Sequence, residues 1–540
     1  MTGSLRTSDR EPIMPRIEIA IAVLAFAVAC AGCHDSLKQP LVHAPATEML
    51  AALESSDHSE RPHAAVDADD ARAIELRIGQ FCGDCHAVPK PESFERDLWY
   101  EEVRKGYEFY ARSGRADLDP PPIEEVVRYY RDRAPEEIEF PAFRPVDPDL
   151  QRKFRGDKID WTDGEYILSG ISSILWTPFE ADGSYRLLVC DARDGSLSIV
   201  NPDPKQTSRD MLLRFQNPAR VNRCDINDDG HEDFIIADLG SIYPFDHGFG
   251  KVGCLLRDPV GNTFRPLLIA ENFGRVADAA VGDLIGDSQP EIVVAEFGHR
   301  ETGGLHVLQN ISETSDTLTY ESQRLDIRPG TVRVILHDWD ADGLLDITTL
   351  LSQESESLEI YLNRDGKFVR HTAWTADDLT FGLVAMELVD LDQDADLDIL
   401  FCNGDTFDNN LANRSHGIQW LENLGSLEFQ YRRLVDLPGA YAAKAGDIDN
   451  DGDLDIIAVA NLPEMVNPKS LRTSMPPSIV LLEQSANKVF SARTISRDRP
   501  RYSSLELADF NSDGKLDFSV GALLLSPNDA VPRLTIWWQQ

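Results

Sequence analysis

Two patterns in this chain put reactive side chains at spacings that particular chemistry requires. The first is Cys82-Gly83-Asp84-Cys85-His86, a C-x-x-C-H segment. Thiols two residues apart can form thioethers with the vinyl groups of a haem, and the adjacent imidazole can ligate its iron. A zinc site needs further ligands, and no Cys or His lies between His86 and Cys190. A redox dithiol would sit in a βαβ pattern, which the surrounding residues lack. One covalent haem c held by Cys82, Cys85 and His86 is therefore expected.

The second pattern is D-x-[DN]-x-D-G/A-x-x-D followed at once by an apolar run, and it occurs intact five times. The copies are Asp225, Asn227, Asp229 and Asp233; Asp338, Asp340, Asp342 and Asp346; Asp390, Asp392, Asp394 and Asp398; Asp447, Asp449, Asp451 and Asp455; and Asp509, Asn511, Asp513 and Asp517. Ca²⁺ takes six to eight oxygens at about 2.3–2.6 Å in a flexible shell. Side chains at positions 1, 3 and 5 of a tight turn converge, position 7 offers a carbonyl, and the Asp at 9 can close the shell. Gly at 6 permits the turn. One such loop is an ordinary acidic turn; five at similar spacing predict about five Ca²⁺ sites. Flanking helices are not indicated, so an EF-hand is the weaker reading.

The loops have to be positioned by strands, and the spacing says how many. Two degenerate copies, around Asp283 with Ile285 at a ligand position and around Pro178 with both ends lost, complete a series. Starts at 178, 225, 283, 338, 390, 447 and 509 lie 47 to 62 residues apart, room for one four-stranded blade each. Ile360–Phe368 and Trp420–Phe429 read as hairpins within the repeats. The last repeat ends at its third strand, Leu534–Trp538, so Lys153–Trp161 should supply the fourth and close the ring. Residues 150–540 resemble the FG-GAP/VCBS-type repeat propellers related to the integrin α head. The fold expected is mainly β, a seven-bladed β-propeller preceded by a small all-α domain.

That smaller domain spans 71–145. Ala71–Gln80 reads as a helix, Phe94–Tyr110 as a second, and Ile123–Arg133 as a third, with Ile123, Val126, Val127 and Tyr130 on one face. The arrangement resembles a cytochrome c domain. In that family a Met usually supplies the second axial ligand, but no Met lies between Met49 and Met211. Ile123 stands near the expected place. The iron is then five-coordinate, or bound by Lys105, Tyr107 or a His from elsewhere, and its potential should be lower than in Met/His cytochromes.

Residues 1–33 read as an export leader. The charge-free apolar run Ile19–Ala29 is too short to span a bilayer, and the small residues before Cys33 resemble a lipoprotein cleavage box. The mature chain is expected to start at lipidated Cys33, with Met14 an alternative initiator to Met1 and ordinary secretion the rival reading. Residues 34–70 are polar and read as a disordered tether. The protein should be periplasmic or cell-surface, touching membrane only through its lipid. Cys190, Cys224, Cys254 and Cys402 pair or remain buried thiols; the sequence leaves both open.

In 540 residues there are 92 Asp+Glu against 52 Lys+Arg, a net charge of −40. Nucleic-acid binding through phosphate neutralisation is excluded on that balance. Five Ca²⁺ would return ten of those charges. No catalytic constellation is recognisable, and His247, His299 and His416 near loop insertions read first as ordinary surface or hydrogen-bonded histidines. The favoured reading is electron transfer, with the propeller docking a redox partner protein or an extracellular ligand. The alternatives are an adhesion module with a haem sensor and a haem-linked oxidoreductase with substrate on the propeller face.

Overall fold

The seven innermost strands of the repeats set the architecture: Ile171–Pro178, Pro218–Cys224, Val276–Gly282, Thr331–His337, Leu383–Val389, Ala440–Gly446 and Tyr502–Ala508. Each packs against the next, and the last against the first, so they close a ring around a central channel. The computed structural model describes residues 68–84, 87–159, 168–180, 182–205, 207–258, 263–313, 318–485, 488–523 and 532–540. The leader, Cys33, the tether to residue 67, and Cys85 and His86 lie outside the described residues.

Each innermost strand begins an antiparallel sheet of four, and there are seven such sheets among the described residues. In blades 2 to 7 the second strand is buried along its whole length, as in Asp233–Asp238 and Asp455–Ala460. Blade faces cover it on both sides, which is why these runs read as continuously apolar rather than alternating. Every innermost strand also carries a register shift just after its first residue, as at Pro218/Arg220 and Thr331/Arg333. A bulge there twists the strand where seven strands converge on the axis.

The ring closes as the sequence predicts. Phe154–Ile159 pairs antiparallel with the C-terminal strand Leu534–Gln539, completing blade 7. Trp538 is buried, its Nε1–H donates to Asp157 at 2.8 Å, and the Gln540 N–H donates to the Lys153 carbonyl at 2.7 Å. Both edges of the C-terminal strand are thereby paired.

Among the described residues three helices of more than ten residues precede the propeller, α1 (Ala68–Cys82), α2 (Trp99–Arg112) and α3 (Ile123–Arg133), and a short helix Pro148–Lys153 leads into its first strand. Their buried faces meet in a core that includes Ile78, Phe81, Trp99, Val103, Tyr107, Val126 and Tyr130, with Trp99 stacked on Tyr130 at 3.9 Å between centroids. Glu124 and Glu125 in the first turn of α3, and Arg131 and Arg133 in its last, complement the helix dipole. The second helix starts at Trp99 rather than Phe94, because the Arg96 N–H is committed to the Pro135 carbonyl at 2.8 Å and a short turn intervenes. Among the described residues no helix is long and apolar enough to cross a membrane.

Candidate functional site

Each acidic loop connects the first strand of a blade to its second, so all five gather on one face of the disc. Position 1 builds the turn. Asp225 accepts from the N–H groups of Asp229 (3.1 Å) and Gly230 (2.9 Å), and Asp338, Asp390, Asp447 and Asp509 repeat the pair. Position 5 accepts from position 7, as Asp342 does from the Leu344 N–H at 2.9 Å. Position 6 is left-handed at Gly230, Gly343, Gly452 and Gly514, and also at Ala395 with φ 78°. Position 4 is left-handed too, at Asp228, Ala341, Gln393, Asn450 and Ser512. Those five side chains share no type, so sequence reasoning about the turn found only position 6.

Position 9 does more than close a shell. Asp233, Asp346, Asp398, Asp455 and Asp517 are each the first residue of the second strand and fully buried. Asp346 accepts from the Trp339 N–H at 2.9 Å and the Asn363 N–H at 2.7 Å, tying the loop to the third strand. Asp233, Asp398 and Asp455 make the equivalent pair of bonds. Burial pushes these three carboxyls up to about 6, and Asp517 up to about 7, although backbone N–H donors oppose the rise. A cation among the carboxylates reverses that cost.

The donors fit a hard divalent cation. Ligand atoms of Asp338, Asp340 and Asp346 lie within 4.8 Å of one another, as do those of Asp390, Asp392 and Asp398 and those of Asp447, Asp449 and Asp451. Asn227 Oδ1, Asp392 Oδ1 and Asp517 Oδ2 are buried acceptors with no hydrogen-bond donor among the described residues, each at a position where a ligand is expected. In two loops a basic side chain competes for the same oxygens: Arg364 pairs with Asp340 and Asp342, and Lys488 with Asp392. The degenerate third loop keeps the turn through Asp283, which accepts from Asp287 and Ser288, but Ile285 offers no oxygen. The first closes as a short turn between Phe179 and Ser184 and brings no ligand set together.

The helical domain lies on the opposite face, where the second strand of each blade turns into the third and successive blades connect. Lys90 pairs with Asp377 at 2.8 Å, the Ser93 hydroxyl donates to Asp378 at 2.6 Å, and the Arg300 guanidinium lies 4.0 Å from the Phe109 ring centroid. Phe140 and Phe143 add a patch against Ala412, Leu462, Val466 and Leu471. Of the C-x-x-C-H segment, Cys82 is described and ends α1, beside Phe81. The Phe81 ring contacts Tyr107 and Tyr110, each at 5.1 Å. The Tyr130 hydroxyl is buried with no partner among the described residues, and burial, with the nearby Cys82 sulfur adding, raises its pKa. The Cys82 thiol and this unsatisfied hydroxyl suit a haem, whose vinyl groups can take a thioether and whose propionates are polar. Lys105 extends to Glu102 on the outer side of α2, and the Tyr107 hydroxyl donates to the Pro121 carbonyl at 2.6 Å.

Cys190, Cys224, Cys254 and Cys402 are unpaired thiols. His416 is buried and pushed down to about 3 by that burial, with its Nδ1 accepting from the Gly439 N–H. His247 lies between Phe245 and Phe249 and accepts the Phe249 N–H at 3.0 Å, and His299 is half-buried beside Arg275.

Fold and loops together define a seven-bladed β-propeller with acidic turns in five of its blades. Residues 338–401 match the family model of the FG-GAP-like repeat, a stretch that begins at the fourth-blade loop and ends in the second strand of the fifth. A solved structure described as "Crystal structure of BBS1N in complex with ARL6DN, soaked with lead" is similar at 10% identity, over 71% of this chain and 97% of that one, with a TM-score of 0.42. No curated protein matches the chain.

Proposed function

We propose that this protein is an exported, c-type haem electron-transfer protein whose calcium-stabilised propeller is the platform that docks a redox partner. It is held in the periplasm or at the cell surface by lipid on Cys33. The observation that carries the reading is the C-x-x-C-H motif in a helical domain seated on the propeller face away from the acidic loops. Lys90 and Ser93, just past the motif, make the contact to Asp377 and Asp378. A haem held by Cys82, Cys85 and His86 supplies one-electron chemistry when bound. The chain's own part is to cover the haem with Phe81, Tyr107 and Tyr130 and to fix the helices against the disc.

The test is the intact mass and haem content of protein exported from cells that attach haem c. One haem added to the polypeptide mass, lost in Cys82→Ala, supports the reading; an unmodified polypeptide mass with no bound haem refutes it. The oxidoreductase reading has its own support, since the central channel opens on the face that carries the helical domain. Anaerobic reduction of the haem by an added organic substrate would favour it over partner docking.

A further inference from the structure

The channel has layers, because residues at the same position of the seven innermost strands come to the same depth. At the third position stand Ser173, Arg220, Asp278, Arg333, Ala385, Ala442 and Ser504. Blades 2, 3 and 4 thus contribute Arg–Asp–Arg, and the other four contribute only Ser or Ala. The charges crowd one side, and space is left facing them. The cavity here has a volume of about 290 Å³, and Arg220 and Arg333 both line it.

The carboxylate between the two arginines is already spent. Asp278 is fully buried and accepts from Arg333 Nη1 at 2.7 Å, from Asn222 Nδ2 at 2.7 Å and from the backbone N–H groups of Ala279 and Val334. Arg220 Nε stays 3.7 Å from it, beyond hydrogen-bond reach. The Arg220 guanidinium has no hydrogen-bond acceptor among the described residues, and Arg333 Nε is buried without one. Enclosure, and secondarily Arg333, depresses Arg220 to about 10, so it remains charged at neutral pH. The layer carries one net positive charge and several unused N–H donors.

Two further features define what fits. Two positions deeper, Glu387 pairs with Lys444 at 3.1 Å and Glu506 faces the same space, so that layer is net negative and opposes a dianion. Just above, Ala219, Ala277, Val332 and Val384 at the second position of their strands form an apolar collar, and at the mouth Phe297 and Phe407 stand beside Asp405 and Arg275, the latter paired with Asp408 at 2.9 Å. A planar, singly charged, two-oxygen group matches guanidinium forks, and an apolar body matches the walls above them.

We propose that the central channel binds a small organic monocarboxylate, its carboxylate against Arg220 and Arg333 and its apolar body directed toward the mouth. The proposal rests on the channel's residues and not on the haem.

The experiment is calorimetric titration of the full chain with phenylacetate, with phenylacetamide as neutral isostere and inorganic phosphate as plain anion. Phenylacetate should bind at least about tenfold more tightly than the amide, and Arg220→Gln should lose at least about tenfold of that affinity. Ala385→Leu, which fills the space facing the guanidiniums, should abolish binding while leaving both arginines in place. Equal binding of acid and amide, binding of phosphate alone, no binding of any probe, or wild-type affinity in Arg220→Gln would overturn the proposal. Should Arg220→Gln fail to fold, the comparison of acid with amide on the wild-type chain decides.

Discussion

Removing calcium should lower the propeller's melting temperature by about 8 to 17 °C, and the size follows from the loops. Calcium modules outside the cytosol bind with Kd of about 10⁻⁴–10⁻³ M. At about 10 mM calcium, each site then contributes about 1.4–2.7 kcal/mol through preferential binding to the folded state. Five intact loops give about 7–14 kcal/mol. Unfolding roughly 390 residues releases about 0.8 kcal/mol/K of entropy, which converts that range to the stated shift. The assay is differential scanning calorimetry with calcium or a chelator at equal ionic strength, since the net charge of −40 makes the apo protein sensitive to salt alone. Asp340→Ala leaves Asp338 to hold its turn and should remove one ion and about a fifth of the shift. Identical melting temperatures with and without calcium, or full recovery by sodium chloride, would refute the reasoning.

Arg364→Ala should strengthen calcium binding at the fourth-blade loop a few-fold, because the guanidinium competes for Asp340 and Asp342; weaker binding by titration calorimetry would count against that loop as a site. Ala395→Gly should stabilise the protein by about 0.5–1 kcal/mol in chemical denaturation, since Ala395 occupies a left-handed conformation that its equivalents reach with Gly. Asp246 is held down at about 2: partial burial works against this, but N–H groups of Thr302, Arg300 and Glu301 and the Thr302 hydroxyl outweigh it. Its folded pKa lies below the unfolded one, so its contribution is present above about pH 4 and lost as pH falls toward 2. After discounting for solvent it is worth on the order of 1 kcal/mol. Asp246→Asn should speed amide exchange at residues 300–302, and unchanged exchange would show the anchor to be idle.

The blade count was legible because one motif recurs at a nearly constant interval and each copy precedes an apolar run. The closing strand was legible because the last repeat stops at Leu534–Gln539, one strand short, while Phe154–Ile159 had no other blade to join. The gathering of the carboxylates at positions 1 and 3 with the one at 5 or 9, seen in three loops, could be read directly, because convergence of side chains in a turn depends only on spacing. The left-handed position 4 could not, since Asp228, Ala341, Gln393, Asn450 and Ser512 share a conformation but no chemistry. The second duty of position 9 was equally hidden: the N–H groups it accepts, such as those of Trp339 and Asn363, become its neighbours only once the blade is folded. Arg220 and Arg333 were missed for the same reason. They are 113 positions apart in the chain and meet only because two innermost strands bring them to one depth. Spacing alone left pairing and free thiols equally open for Cys190, Cys224, Cys254 and Cys402; the fold makes each an unpaired thiol within a blade.

An optical redox titration of the exported full-length protein tests the central claim most directly. One covalently bound haem per chain, reduced and reoxidised reversibly by one electron and without the charge-transfer band of a methionine–iron bond, is the result expected. A colourless protein, or a haem that never changes oxidation state across the titration, would contradict it.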